Sequence, residues 1–135
     1  MGSKATADRA TMKSVLETLK EGDLYFLDSL TSSLTVTSEV ANEVGIPHAI
    51  NNLFIDNVNE EEAIKIQLRQ GMELAKRRGQ AIVIGHVRPQ TVRALWGMIS
   101  EIVETGISIV PVSQLLIFPD MAITAYEHVR EEGPY

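Results

Sequence analysis

Apolar positions along the 135 residues fall into two kinds of run, some at helical spacing and some unbroken, and the two kinds alternate. Met12, Val15, Leu16 and Leu19 recur at helical spacing, and Gly22 stands where a helix would stop. Leu24-Tyr25-Phe26-Leu27 is unbroken, as expected of a strand buried on both faces in a parallel sheet. After a loop of Ser29, Thr31, Ser32 and Ser33, the residues Val36, Val40, Ala41 and Val44 predict a short helix closed by Gly45 and Pro47. Asn52-Leu53-Phe54-Ile55-Asp56 predicts a second strand. Asn59 is placed to cap a third helix with the stripe Ile64, Leu68, Met72 and Ala75. Ala81 to Ile84 predicts a third strand, and Pro89 suits the first turn of a fourth helix. That helix carries the cleanest stripe, Val92, Leu95, Trp96, Ile99, Ile102 and Val103, and ends at Gly106. Ile107 to Val110 is the last expected strand.

The order αβαβαβαβ predicts an α/β fold: a parallel sheet of about four strands with flanking helices and right-handed crossovers. Residues 1–117 read as one such domain. Residues 118–135 read as a tail or short helix suggested by Met121, Ala125, Tyr126 and Val129. The length suffices to bury a core. No repeat or linker interrupts the pattern.

Composition narrows the functional classes. A net charge of -6 argues against nucleic acid or an anionic membrane surface as the main partner. Cysteine is absent, which removes disulfides, thiolate catalysis and cysteine metal sites. No apolar stretch approaches the ~18 residues needed to span a bilayer, and residues 1–6 carry no apolar signal core. The compartment stays open: periplasmic or extracellular if a signal lies upstream, cytoplasmic otherwise.

Two of the unbroken runs end on residues capable of proton or metal chemistry, Asp28 and His86. The carboxyl ends of parallel strands open onto the ligand crevice, so both are expected on one rim. Asp28 has two readings: it binds substrate hydroxyls or orients His86, or it caps the Ser/Thr loop through nearby amides. Ser29, Thr31 and Ser32 line a sugar site or form the turn. Asp56 ends its strand in the same sense, though Asn57 and Asn59 favour a turn or cap equally. Arg88 meets an acetyl or carboxylate group, or is a solvated loop residue. His48 and His128 lack partners at metal spacing and read as incidental. Lys76, Arg77 and Arg78 complement the dipole at one helix end, as Glu60 to Glu62 do at the other. Trp96 reads as core. No Gly-rich phosphate loop is present.

Several pieces, taken in order, resemble the divergent polysaccharide deacetylases of the glycoside hydrolase/deacetylase superfamily. They are Met1-Gly2-Ser3 with Thr6, Phe26-Leu27-Asp28-Ser29 with Thr31, Phe54-Ile55-Asp56, Gly79 to His86, and Val110-Pro111-Val112-Ser113. Leu30 and Asn51 stand where family members often carry arginine, and Val87 where proline is common.

The resemblance implies the C-terminal part of a (β/α) barrel of about seven strands. It implies metal-assisted hydrolysis of acetyl groups on a glycan substrate, with His86 as the late active-site histidine. His86 and Asp28 are thus the catalytic candidates, and Ser29, Thr31, Arg88 and Asp56 the substrate-binding ones. The complete family member would use a divalent metal, zinc by expectation. The family's Asn-Asn-His and paired aspartates lie upstream of Met1, so this chain alone is expected to assign no metal ligand and to hold zinc weakly. Exposed parallel edges, such as Leu24 to Leu27, are expected to favour a homo-oligomer. A non-catalytic carbohydrate-binding or self-associating α/β module is the rival reading.

Overall fold

The computed structural model describes residues 2–119. The expected tail helix around Met121 to Val129, and His128 with it, lie outside the described residues. The chain forms two compact units, one of Met1–Ile50 with the segment from Leu116, the other of Asn51–Leu115.

The first unit contains α1 (Gly2–Ala5), α2 (Arg9–Glu21), β1 (Phe26–Asp28), α3 (Thr37–Val44) and β2 (His48–Ile50). Asp8 starts α2 by accepting the Thr11 N–H at 2.8 Å, which satisfies one amide that the helix cannot. The buried face of α2, Met12 and Leu16, packs with Val40, Ala41 and Ile46. Each such large side chain contributes about 1.5–3 kcal/mol relative to exposure. Gly45, at φ 74°, ends α3 in the left-handed conformation that a Cβ disfavours. The chain then returns as β2, parallel to β1, with Phe26 opposite His48 and Asp28 opposite Ile50.

The second unit contains β3 (Leu53–Phe54), α4 (Glu61–Arg78), β4 (Val83–Ile84), α5 (Pro89–Glu104) and a 3-10 turn at Val112–Gln114. β3 and β4 pair in parallel, with Leu53 opposite Val83 and Phe54 opposite Ile84. Ile55, Ile64, Leu68, Met72, Ala94, Met98 and Ile102 form its core. A Cβ on Gly71 would come within 2.9 Å of Val83 Cγ1, so the missing side chain sets how closely α4 approaches β4. On the solvent side, Arg69 grips Glu101 with two hydrogen bonds of 2.7 and 2.8 Å, tying α4 to α5. Both groups are exposed, so the pair adds little energy but holds the geometry.

Several expectations are corrected. Among the described residues the four strands form two parallel pairs, not one sheet of four. β1 begins at Phe26 because the Leu24 N–H still bonds back to Leu19 O at 3.0 Å, leaving Leu24 and Tyr25 exposed. The expected strand buried on both faces is therefore shorter and only partly covered. β2 was not foreseen, since three residues that include a histidine carry no periodic signal. Ile107 to Val110 is not a strand; no backbone hydrogen bond joins it to a neighbour among the described residues. Asn59 does not cap α4: Glu60 holds that place without a side-chain bond. Glu61 and Glu62 act on the helix dipole instead. Trp96 is not core but 79% exposed, because α5 buries its other face of Thr91, Ala94, Met98 and Ile102.

His48 is a buried histidine. It is 1% exposed, with Nε2 3.2 Å from Ser38 Oγ and no hydrogen-bond partner for Nδ1 among the described residues. Burial pulls its pKa below the ordinary 6.5, and the nearby Ile46 backbone opposes this without forming a proper hydrogen bond. The folded state therefore prefers neutral His48. Proton linkage leaves stability unaffected above about pH 6.5 and lowers it as pH falls toward the native value, by at most about 1.4 kcal/mol per pH unit. Urea unfolding between pH 7.5 and 5 is expected to show this loss, and His48→Leu should flatten it.

Candidate active site

The pairing of β3 with β4 positions the chemistry. Asn52 clasps the next strand at one end: its N–H donates to Ile82 O and its Oδ1 accepts from Ile82 N, both at 2.8 Å. The Ile55 N–H donates to Ile84 O at 2.9 Å. The same register, carried two residues beyond Phe54 and Ile84, sets Asp56 beside His86.

The Asp56 side chain is wholly shielded from solvent. Oδ2 accepts from the His86 N–H at 2.6 Å and from the Thr91 hydroxyl at 3.0 Å. Oδ1 lies 3.0 Å from His86 Nδ1. An ionised carboxylate only accepts, so a neutral His86 must carry its proton on Nδ1, leaving the Nε2 lone pair free. The His86 side chain is 63% exposed. A buried anion thus orients an imidazole whose other nitrogen is available for acid or base work.

Burial works to raise the Asp56 pKa, but the bonds from the His86 ring, the His86 N–H and Thr91 outweigh it. The net result lies below the ordinary 3.8, and Asp56 is ionised at neutral pH. Arg88 donates from Nη1 to Asp56 O at 3.2 Å, so it braces the strand end and is no free loop cation. Gly85 is needed for the approach: a Cβ there would stand 2.8 Å from Ile55 Cγ1 and 3.2 Å from Thr91 Cγ2.

Asp56, His86 and Arg88 are thus gathered in one unit, together with Thr91, which sequence reasoning missed. Asp56 was expected to bind substrate; it holds the histidine, a role for which Asp28 had been one candidate. The available signal was strand register, which cannot be read before the pairing is known.

Asp28, Ser29 and Thr31 belong to the other unit. Asp28 is buried and uses both oxygens locally, accepting Leu30 N–H at 2.8 Å and Thr35 hydroxyl at 2.6 Å. The first bond holds Leu30 at φ 55°, a left-handed conformation costly for a residue with a Cβ. Here the turn-forming reading of Asp28 matches the geometry. Ser29 is half-buried and Thr31 exposed, while Ser32 Oγ accepts from Leu34 N–H in the same turn.

The family model for divergent polysaccharide deacetylases matches residues 1–116. The chain belongs to this family. YibQ of Escherichia coli, an uncharacterised protein, is 36% identical over 121 residues, covering 90% of this chain and 38% of YibQ. An uncharacterised Haemophilus influenzae protein is 38% identical over 95 residues, covering 70% of this chain and 34% of its own length. The crystal structure of an uncharacterised Agrobacterium tumefaciens protein matches with a TM-score of 0.81 at 25% identity, over 84% of this chain and 46% of that one. This deacetylase-family chain therefore spans less than half the length of these relatives. Small parallel sheets with flanking helices agree with the α/β fold of the structural neighbour. No helix among the described residues is long and apolar enough to cross a membrane.

The family implies a divalent metal. Among the described residues no three His, Cys, Asp or Glu side chains are gathered to hold one. Asp56 and His86 offer two groups, already bonded to each other, so these residues do not by themselves fit the ion.

Because the native pKa of Asp56 is depressed, its stabilising contribution is present above about 3.8 and is lost as pH falls through the native value. Thr91→Val removes one of the three lowering bonds. Carboxyl-carbon NMR titration of that variant should give a higher Asp56 pKa than the parent; an unchanged value would mean the hydroxyl contributes nothing.

Proposed function

We propose that the chain supplies the acid–base histidine of a deacetylase that removes acetyl groups from a glycan. The observation that carries this reading is the Asp56–His86 pair: a buried, ionised carboxylate fixes the imidazole tautomer while the ring faces solvent. Hydrolysis of an N- or O-acetyl group adds water to the carbonyl and forms a tetrahedral intermediate. That intermediate collapses by breaking the bond to the sugar nitrogen or oxygen, which needs a proton to leave as amine or hydroxyl. His86 takes a proton from the attacking water at its free Nε2 and passes that proton to the departing nitrogen or oxygen, while Asp56 stabilises the imidazolium between the two steps and the remaining water proton leaves to solvent with the acetic acid formed. Acetate is the other product.

The zinc of the family reaction would be held by ligands outside the described residues, and no proton step above depends on it. Arg88 supports the strand end that carries Asp56, and Thr91 keeps the carboxylate turned toward the ring. Asp28, Ser29 and Thr31 enter the proposal as sugar-facing residues only through the family resemblance. A second reading, a glycan-binding module without hydrolysis, is favoured by one observation, the lack of a gathered metal set among the described residues.

Acetate release from acetylated chitooligosaccharides and peptidoglycan fragments, by a chimera in which this chain replaces the matched share of YibQ and with zinc supplied, tests the reading. His86→Ala and Asp56→Asn are each expected to lower the rate by about 10²–10⁴-fold, the usual worth of a positioned acid–base group. Calorimetric glycan binding without acetate release, unchanged in both variants, would favour the binding module. Zinc titration under chelator competition is expected to show no tight stoichiometric site in this chain. A nanomolar 1:1 site would contradict that.

A further inference from the structure

The turn after β4 holds a cation that the acid–base steps leave unused. The Arg88 N–H donates to His86 O at 2.8 Å, closing a tight three-residue turn with Val87 at its centre. Val87 is 98% exposed, so its methyl groups bury almost nothing and add little to the fold. Arg88 is half-buried. One Nη1 N–H goes to Asp56 O, and the other guanidinium N–H groups have no acceptor among the described residues. Nor does any carboxylate among the described residues pair with its charge, whereas Arg9, Arg69 and Arg93 each pair with a glutamate. A guanidinium held in place with spare donors matches a carboxylate, which takes two parallel hydrogen bonds from it. The imidazole of His86 and the guanidinium of Arg88 are both bonded to Asp56, one through the carboxylate and the other through the main-chain oxygen. No more than two hydrogen bonds and the length of one aspartate separate them, which is within the span of a sugar with its substituents.

We propose that the substrate is an acidic glycan, whose carboxylate lies against Arg88 while a nearby acetyl group reaches His86 Nε2. The inference rests on the deacetylase reading and names the substrate class for that site. Two sources supply such a carboxylate: a lactyl ether on the acetylated sugar itself, and a uronic acid next to it. Val87, between the two polar side chains in sequence, offers an apolar contact to the alkyl part of the acyl or lactyl group. With a net charge of -6 the chain as a whole does not attract an anion, so the selectivity falls on this one cation.

Binding to this chain is measured by NMR titration with N-acetylmuramic acid, with its uncharged methyl ester, and with a disaccharide of glucuronic acid and N-acetylglucosamine. At least one of the two acids should bind about tenfold more tightly than the ester, with a preference that shrinks as salt is added. Arg88→Gln should bring acid and ester level, and Arg88→Lys, which keeps the charge but not the fork, should keep part of the difference. Tighter binding of N-acetylmuramic acid than of the disaccharide would place the carboxylate on the acetylated sugar; the reverse would place it on the neighbour. Acids held no more tightly than the ester, no binding of any of the three, or a preference that survives Arg88→Gln would overturn the proposal. Should Arg88→Gln not fold, Arg88→Lys decides, and an undiminished preference in it would count against Arg88. Acetate release by the YibQ chimera separates the acidic substrate from the deacetylase itself. Equal release from neutral and acidic fragments sustains the deacetylase and sinks the acidic substrate. Acid-selective binding with release from neither sinks the deacetylase and leaves the carboxylate site at Arg88.

Discussion

One buried anion organises the second unit. Asp56 lies at the end of β3 with its carboxylate out of water, a position that is costly unless every oxygen is engaged. The groups that engage it come from thirty and thirty-five residues further along, from His86 and Thr91. The carboxylate therefore fastens the strand end, the start of α5 and the intervening turn to one point. The same interaction that satisfies the anion also selects the histidine tautomer, so stability and chemistry share one set of bonds.

Backbone approach makes this possible. β3 and β4 are only two residues each by regular pairing, and short parallel ladders hold weakly alone. They are supported by the Asn52 clasp at one end, Arg88 at the other, and glycines where a side chain would intrude. Gly71 lets α4 settle on Val83, and Gly85 lets the turn before His86 reach Ile55 and Thr91. Moving either contact by a few tenths of an ångström would alter the 2.6–3.0 Å bonds on which the dyad depends.

The contrast with Asp28 shows that a carboxylate at a strand end does not by itself make a site. Asp28 and Asp56 both terminate apolar runs, and both are buried. Asp28 spends its oxygens on residues two and seven positions away, Leu30 and Thr35, and so shapes its own turn. Asp56 spends its oxygens across the strand pair, on a residue that can exchange a proton. Chain separation of the partners, not residue type, distinguishes the two.

The alternation of helical stripes and short apolar runs was legible along the chain, as were the stops at Gly45 and Gly106 and the start at Pro89, because these follow from local backbone preferences. His86 was legible as chemistry at a strand end. Pairing was not: it depends on partners twenty-two to thirty-five residues apart, so the split into two strand pairs, the short β2 at His48 and the union of Asp56 with His86 and Thr91 emerged only in three dimensions. Nor was the inward face of α5. Its apolar residues cover more than one side, and packing buried Thr91, Ala94, Met98 and Ile102, leaving Trp96 in solvent. The sequence by itself determined the alternation of helices and short apolar runs, the helix stops at glycine and which residue types stand at strand ends. The tertiary structure alone decided register and facing, because both are settled by contacts between segments that no local preference encodes.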